Sequence, residues 1–357
     1  MYIEACLRSL VGIVDEIIVV DTGSRDDTVE KALRFPIKLH TFEWCHDFSA
    51  ARNYAISKAC GEWILYIDAD ERLQVRDLAL WRDMAADKTK AGWRLRFYPR
   101  VAWTPYSELR LFRKDPRIRF QGVIHERMHD GVNAVCLSDD LEIGVSDVAI
   151  HHIGYERGQR HKIVRNVPLL RAYLGKDPTR VYCWWHLGEM LMLAGDSEGA
   201  TEAWTRGIEA ARHQSASYAS NAMPFFSLIL LQHSRGVNVE NLLEEALRLF
   251  PRHLALRWLA CKHAIERGEG ETKRQDLEAL ASIDPESFHD PELSYKKSLF
   301  AYASRDSLAL CHFRAGRFAE AAEWYSRASA AAPDAQANEV RKRLALAKAS
   351  ANQTRHL

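Results

Sequence analysis

The chain is 357 residues long, more than one typical domain, so two folded units are the starting expectation. Hydrophobic residues make up 47% and charged residues 27%, an ordinary globular balance, and 49 Lys and Arg against 48 Asp and Glu exclude a global basic field for nucleic acid. No run approaches the roughly 20 apolar residues that span a bilayer, no charged-then-apolar leader opens the chain, and seven cysteines without a CxxC pair lead to an expectation of reduced thiols in a cytoplasmic protein.

The first half alternates strand and helix signals. Asp15 to Val20 reads as a strand buried on both faces, ending at Asp21-Thr22-Gly23-Ser24. A helix follows, with Asp26 or Asp27 near its cap and Val29, Ala32 and Leu33 on its inner side. Ile37 to Phe42 is a second short strand, Phe48 to Ala59 a helix, and Glu62 to Ile67 a third strand running into Asp68-Ala69-Asp70-Glu71. Strand, crossover helix, strand implies a parallel sheet with functional groups at the strands' carboxyl ends. From Gly92 to His152 the helical period fades; Trp93–Tyr98, Glu108–Phe112 and Ala149–His152 read as mixed or antiparallel strands.

From about Gly158 onward the text is helical and it repeats. Trp184, Leu187, Gly188, Leu191, Gly195, Ala200 and Trp204 follow the 34-residue tetratricopeptide pattern, as do Gly316, Ala321, Tyr325, Ala328 and Pro333. Pro251 and Pro285 are 34 apart, and Gly268 precedes Pro285 by 17 residues, as Gly316 precedes Pro333. About four degenerate repeats are therefore expected between residues 181 and 335, with a plain helical bundle as the alternative.

Two acidic groups stand at the ends of consecutive predicted strands. Asp68 and Asp70 are two apart, where alternation puts them on one side of an extended chain. Paired carboxylates there suit Mg2+ or Mn2+ and leave positions for phosphate oxygens. Asp21, at the preceding strand's end, suits hydrogen bonds to a nucleoside's base or ribose. An isolated DxD is a weak signal, since acidic turns after strands usually mean solvation.

The combination is more specific. VVDTGSRDDT followed by EWCHDFSAARNYAISKACGEWILYIDADE resembles the family-2 glycosyltransferases of GT-A fold, in the branch with appended tetratricopeptide repeats that includes sublancin-type peptide glycosyltransferases and some lipopolysaccharide-core transferases. The resemblance implies an α/β, GT-A-like mixed-sheet domain at 1–160, an all-α tetratricopeptide-like solenoid at 170–340, and a helix end or tail at 341–357. It implies inverting transfer from a nucleotide-sugar donor to a peptide, protein or glycan acceptor, with Mg2+ or Mn2+ as cofactor. It places Asp21 on the donor's base and Asp68 and Asp70 on metal and donor. Arg52 and Asn53 fall where the family's Ala-Arg-Asn contacts or buttresses the donor pocket; a helix anchoring itself to the sheet is the plainer reading. Leu109-Arg110-Leu111-Phe112-Arg113 and Phe120 to Glu126 are similar to a second block of that branch, which puts Glu126 where the family carries its catalytic base. His152, in His152-Ile153-Gly154-Tyr155, resembles an element that completes the metal site or meets the diphosphate; an ordinary strand-end histidine is the alternative.

Family members begin with a strand and an Asn-Glu turn before the helix that Glu4 to Leu10 resembles, whereas Met1 falls inside that helix. Without such a strand its two neighbours are expected to carry unpaired backbone groups. Two rival functions follow from other features. One is an inert transferase paralogue whose repeats act as a protein-binding scaffold. The other is a zinc protease, from His125-Glu126-Arg127-Met128-His129, although a strand-like Arg119–Ile124 and Asp130-Gly131 flank that HExxH match. Cys45-His46-Asp47 reads as packing, and the basic run from Arg94 to Arg119, which includes Arg110 and Arg113, as a solvated face, with contact to a diphosphate or an anionic acceptor as the alternative.

Overall fold

A computed structural model describes residues 2–154, 160–214 and 218–354. The chain divides into two compact units, residues 1–101 with 105–200 and residues 102–104 with 201–357. The first two helices after the α/β part thus belong to the first unit.

In the first unit, α1 (Tyr2–Leu10) buries Ile3, Cys6, Leu7 and Leu10, the i, i+3, i+4, i+7 stripe of an amphipathic helix. The apolar run that follows forms β1 (Ile18–Asp21), which pairs in parallel with β2 (Lys38–Thr41) across the short α2 (Thr28–Ala32). Leu33 lies beyond the end of α2 and is 60% exposed, so only Ala32 of the expected inner face is buried. After α3 (Phe48–Lys58) comes β3 (Trp63–Leu65), and here the expectation of one parallel sheet fails. β1 and β2 form their own two-stranded sheet, and β3 lies at the edge of a five-stranded one, antiparallel to β6.

The five-stranded sheet has the order β3-β6-β5-β7-β4, built from β4 (Glu71–Gln74), β5 (Lys90–Tyr98), β6 (Tyr106–Arg113) and β7 (Glu142–His152). Only β5–β7 is a parallel pair. One apolar layer joins Leu73, Leu95, Phe97, Leu111 and Ile150 to α1 and to Trp81 and Met84 of α4 (Leu78–Ala86). A second joins Ile64, Leu109 and Phe112 to Ile56 of α3 and to Val132 and Val135 of α5 (His129–Asp139). Helix α5 lies in the stretch where no helix was expected; its core stripe is too short to register as a period. Leu109 and Leu111 share parity yet enter opposite layers. The cause is a bulge: Trp93 opposes Leu111 and Arg94 opposes Leu109, leaving Arg110 as the extra residue.

Two helices close this unit's sequence, α6 (Arg160–Lys176) and α7 (Val181–Leu193), and α8 (Ser197–Arg212) follows. The second unit then runs α9 (Met223–Ser234) and α10 (Glu240–Leu249), α11 (Leu254–Glu266) and α12 (Arg274–Ala281), α13 (Ser304–Arg314) and α14 (Phe318–Ala330), and finally α15 (Asp334–Thr354). The helix–glycine–helix order occurs four times, with left-handed Gly195, Gly236, Gly268 and Gly316 after α7, α9, α11 and α13. Pro251 and Pro285 follow α10 and α12, as the spacing predicts. Ala321, Tyr325 and Ala328 are buried at the expected repeat positions. Gly268 and Gly316 stand 48 apart rather than 34 because residues 282–303 form an insertion. Part of it bonds to residues 102–104: Thr104 N donates to Tyr295 O (2.8 Å) and Lys297 N to Ala102 O (2.9 Å). No helix among the described residues is long and apolar enough to cross a membrane.

Gly268 and Gly316 have φ of +84° and +73°, and an added Cβ at either would meet nothing within 4 Å. The penalty for a side chain is therefore backbone conformation alone. Gly268→Ala and Gly316→Ala should each cost about 1 kcal/mol in urea unfolding; unchanged midpoints would show that these turns do not enforce the repeat geometry.

Candidate active site

The Asp68–Asp70 segment lies between β3 and β4 and is a turn, not the end of an extended strand. Glu71 N donates to Asp68 O (2.9 Å). In return the Glu71 carboxylate accepts from Asp68 N (2.8 Å). That carboxylate is buried and held by both terminal nitrogens of Arg110, at 2.9 and 2.8 Å, and Arg110 also reaches Glu108 at 3.0 Å. The guanidinium sits 4.5 Å from the ring centroids of both Tyr66 and Phe97. Burial opposes its charge, but Glu108 and Glu71 outweigh that and hold its pKa well above the ordinary value. Arg110, read as part of a solvated basic run, is thus only 4% exposed, because the bulge turns it inward. Removing one partner of such a buried pair typically costs about 3–5 kcal/mol.

The turn sends its two aspartates to different partners. Asp70 Oδ2 lies 3.1 Å from His152 Nε2, while His152 Nδ1 lies 3.1 Å from Pro99 O. Both ring nitrogens face acceptors, an arrangement that suits the doubly protonated ring. Burial alone would raise Asp70 and lower His152; their hydrogen bond wins, holding Asp70 below and His152 above the ordinary values. Strand pairing puts Glu71 opposite His152, and Ile153 N donates to Asp70 O (2.9 Å). Gly154 closes this corner: a Cβ there would fall 1.9 Å from Asp70 Oδ2. Tyr155, the last residue of that motif, lies outside the described residues.

Asp68 instead meets Arg52, at 2.8 Å to Oδ1 and 3.1 Å to Oδ2. The Arg52 Nε donates to Glu126 Oε1, so one guanidinium bridges two of the expected site carboxylates. Burial, the largest influence, works against the Arg52 charge; Asp68 and Glu126 reverse it and hold the group above its ordinary value. Helix α3 positions this arginine. Asp47 caps it through Ala50 N (3.0 Å), which gives the Cys45-His46-Asp47 triplet a structural role. Asn53 spends both ends of its amide on the Phe120 backbone, donating to O and accepting from N at 2.9 Å each. That is the anchoring geometry weighed against donor contact. Phe48 N and Ser49 Oγ donate to Val123 O and Gly122 O, so the same helix end clasps the loop that carries Glu126.

Asp21 ends β1 with its carboxylate turned onto its own loop, accepting from Gly23 N (3.2 Å) and Ser24 N (3.1 Å). Once the Nε2 proton of His152 is displaced, the donor chemistry of the Asp70–His152 corner fits a divalent ion, since ligands at 90° on an octahedral ion at 2.0–2.2 Å stand about 3 Å apart and the glycine leaves room. Asp68, Asp70 and His152 do not gather as a three-ligand cluster among the described residues, however. The alternation argument assumed extended backbone, and the turn separates the two carboxylates.

The HExxH reading is overturned. Helix α5 begins at His129, and His125 precedes it with φ of +51° in a loop closed by Gln121 and Arg127. The strand expected at Arg119–Ile124 is part of that loop. The two histidines therefore do not project from one helix. His125 is buried and stacks on His186 of α7 at 3.9 Å, with Tyr182 at its edge, and Arg180 donates to its carbonyl. From sequence, Glu71, Arg110 and Gly154 stand only as members of motifs, not as site residues: Glu71 follows the DxD directly, Arg110 lies in the Leu109–Arg113 block and Gly154 in the His152–Tyr155 element.

Comparison with known proteins places the first part of the chain. Residues 1–139 match the model of Glycosyl transferase family 2, so this part is a family-2 domain. A TPR repeat-containing protein of Synechococcus elongatus is 37% identical over 222 residues, covering 59% of this chain and 54% of that protein. A prophage-derived glycosyltransferase of Bacillus subtilis, SunS, is 26% identical over 267 residues, covering 70% of this chain and 60% of its own length. The chain thus spans little more than half the length of these relatives. Among solved structures, residues 1–349 of S. aureus TarS in complex with UDP-GlcNAc align at 16% identity with a TM-score of 0.36, over 78% of this chain and 87% of that one.

Burial, with a smaller push from Arg180, holds His125 at about 4 against an ordinary 6.5, and burial holds His186 well below it. Between these values the unfolded chain binds protons that the folded one refuses. Stability is therefore intact above pH 6.5 and falls as pH drops towards 4, by about 3 kcal/mol for His125 alone. His186→Phe keeps an aromatic ring in the stack and removes one titration. Its urea midpoint should fall less between pH 7.5 and pH 5 than the wild type's; parallel pH curves would contradict this.

Proposed function

From a family-2 glycosyltransferase domain at residues 1–139, we propose that the protein transfers a sugar from a nucleotide-sugar donor to an acceptor nucleophile, with inversion. The observation that carries the reading is the paired site on one turn: Asp70 with His152 on one side, Asp68 with Arg52 and Glu126 on the other. Asp70 and His152 would hold Mg2+ or Mn2+, with Asp68, two residues before Asp70, as a further candidate ligand. When bound, the ion supplies positive charge against the departing nucleoside diphosphate. Arg52 orients Asp68 and Glu126, and its own charge faces the same developing anion. Asp21 takes the base or ribose, its carboxylate already fixed by the Gly23 and Ser24 amides. Glu126, 9% exposed, accepts the proton of the acceptor hydroxyl or thiol. Asn53 acts by positioning Phe120 and the loop behind Glu126. The helical repeats hold a peptide, protein or glycan acceptor and raise its concentration at the sugar site.

A second reading has its own support. A single guanidinium pairs with both Asp68 and Glu126, as in a transferase paralogue that has become a binding scaffold. Donor turnover separates the two. Hydrolysis or transfer should require Mn2+ or Mg2+, vanish in chelator, and fall ~100-fold or more in Asp70→Asn. Glu126→Gln should keep donor binding and lose ~100- to 10,000-fold in turnover, while His129→Ala changes little. Full activity in chelator would contradict the metal, unchanged turnover in Glu126→Gln the base, and absence of donor binding the transferase itself.

A further inference from the structure

The second unit contains a group of metal-ligand side chains that neither the family-2 domain nor the repeat pattern accounts for. His233 comes from the last turn of α9, and His263 and Glu266 from the last turn of α11, three residues apart and so on one helix face. One ligand atom from each lies within 4.8 Å of the others. His233 Nε2 stands 3.1 Å from one Glu266 oxygen and 3.3 Å from the other. Ligands 2.0–2.1 Å from a tetrahedral ion are about 3.3 Å apart, so this pair already has the separation of two neighbours on one ion. The imidazoles of His233 and His263 are near perpendicular, with centroids 6.1 Å apart.

Two further observations point to a ligand. His263 Nε2 is buried with no hydrogen-bond partner, as are Nε2 of His186 and His253, but of these three only His263 lines the cavity beside His233 and Glu266. The three residues also border a cavity of about 610 Å³, shared with Asn238, Glu240 and Arg267, which leaves space for a fourth ligand. The cations nearby do not fill the place of an ion. Arg267 is paired with Glu240 and Glu269, and Lys262 reaches Glu266 only at 3.9 Å from the exposed side.

We propose that His233, His263 and Glu266 bind one divalent transition-metal ion of the Zn2+ type, with the fourth position open to water or a ligand in the cavity. Two imidazoles and one carboxylate favour Zn2+, Co2+ or Ni2+ over the hard Mg2+ and Ca2+ ions. The ion would tie α9 to α11, the first helices of successive repeats, and fix their spacing.

The test uses the full chain and Zn2+ competed against a chromogenic chelator, with Co2+ as a spectroscopic probe. In the Asp68→Asn/Asp70→Asn background, which removes the carboxylates of the other candidate divalent site, one equivalent should bind, the Co2+ adduct should show the intense visible bands of a tetrahedral site, and Zn2+ should raise the melting temperature. His233→Ala and His263→Ala, checked for folding by circular dichroism, should each weaken binding by ~100-fold or more, beyond what loss of a supporting partner costs. Glu266→Gln, on a half-exposed side chain, keeps the comparison decisive should a histidine variant unfold. No Zn2+ binding by the wild type, or unchanged affinity in a folded variant of any of the three residues, overturns the proposal.

Discussion

The site depends on one buried ion pair. Arg110 reaches Glu71 because a bulge in β6 adds a residue opposite β5 and turns that residue inward. Two charges taken out of water are tolerable only when each is hydrogen-bonded on several sides, and here Glu108, Tyr66 and Phe97 complete the surroundings of the guanidinium. Glu71 Oε2, which accepts from Arg110, also accepts from the Asp68 amide. The pair thus fixes the backbone of the Asp68–Asp70 turn from below, before any ligand is present.

From that turn two arms extend. One passes from Asp70 to His152 and the Pro99 carbonyl, on the β7 end beside Gly154. The other passes from Asp68 to Arg52 and Glu126, through a helix that Asp47 caps and Asn53 anchors. Each arm holds a different kind of chemistry. The first offers a carboxylate and an imidazole at the separation of two metal ligands, and the second presents a cation between two carboxylates.

Much of this was legible in the sequence where local rules act alone. A helix from Phe48 to Ala59 was legible, one residue longer at its end than α3, as was the β1–β2 crossover. The glycines after α7, α11 and α13 mark the repeats because only a left-handed residue ends those helices cheaply, while Gly236 after α9 plays the same part outside the repeat positions read from sequence. Legibility fails where the answer depends on a distant partner. Arg110 looks like any other member of a basic run until Glu71 is seen beside it. The separate sheets of β1–β2 and β3 depend on hydrogen-bond partners that spacing does not reveal. The alternation that put Asp68 and Asp70 on one side held only for an extended chain, and the 282–303 insertion hid one repeat interval. His233, His263 and Glu266 gave no sequence motif because two helices contribute them.

The central claim is that the Asp70–His152 corner is the metal-binding arm of a nucleotide-sugar site. Crystals soaked in Mn2+ with a panel of nucleoside diphosphates test it most directly, through anomalous scattering collected at the manganese edge. The account predicts one peak at about 2.2 Å from an Asp70 oxygen and His152 Nε2, with diphosphate oxygens on the same ion and Arg52 alongside. An intact Asp70–His152 hydrogen bond with manganese and nucleotide absent from that corner would contradict it.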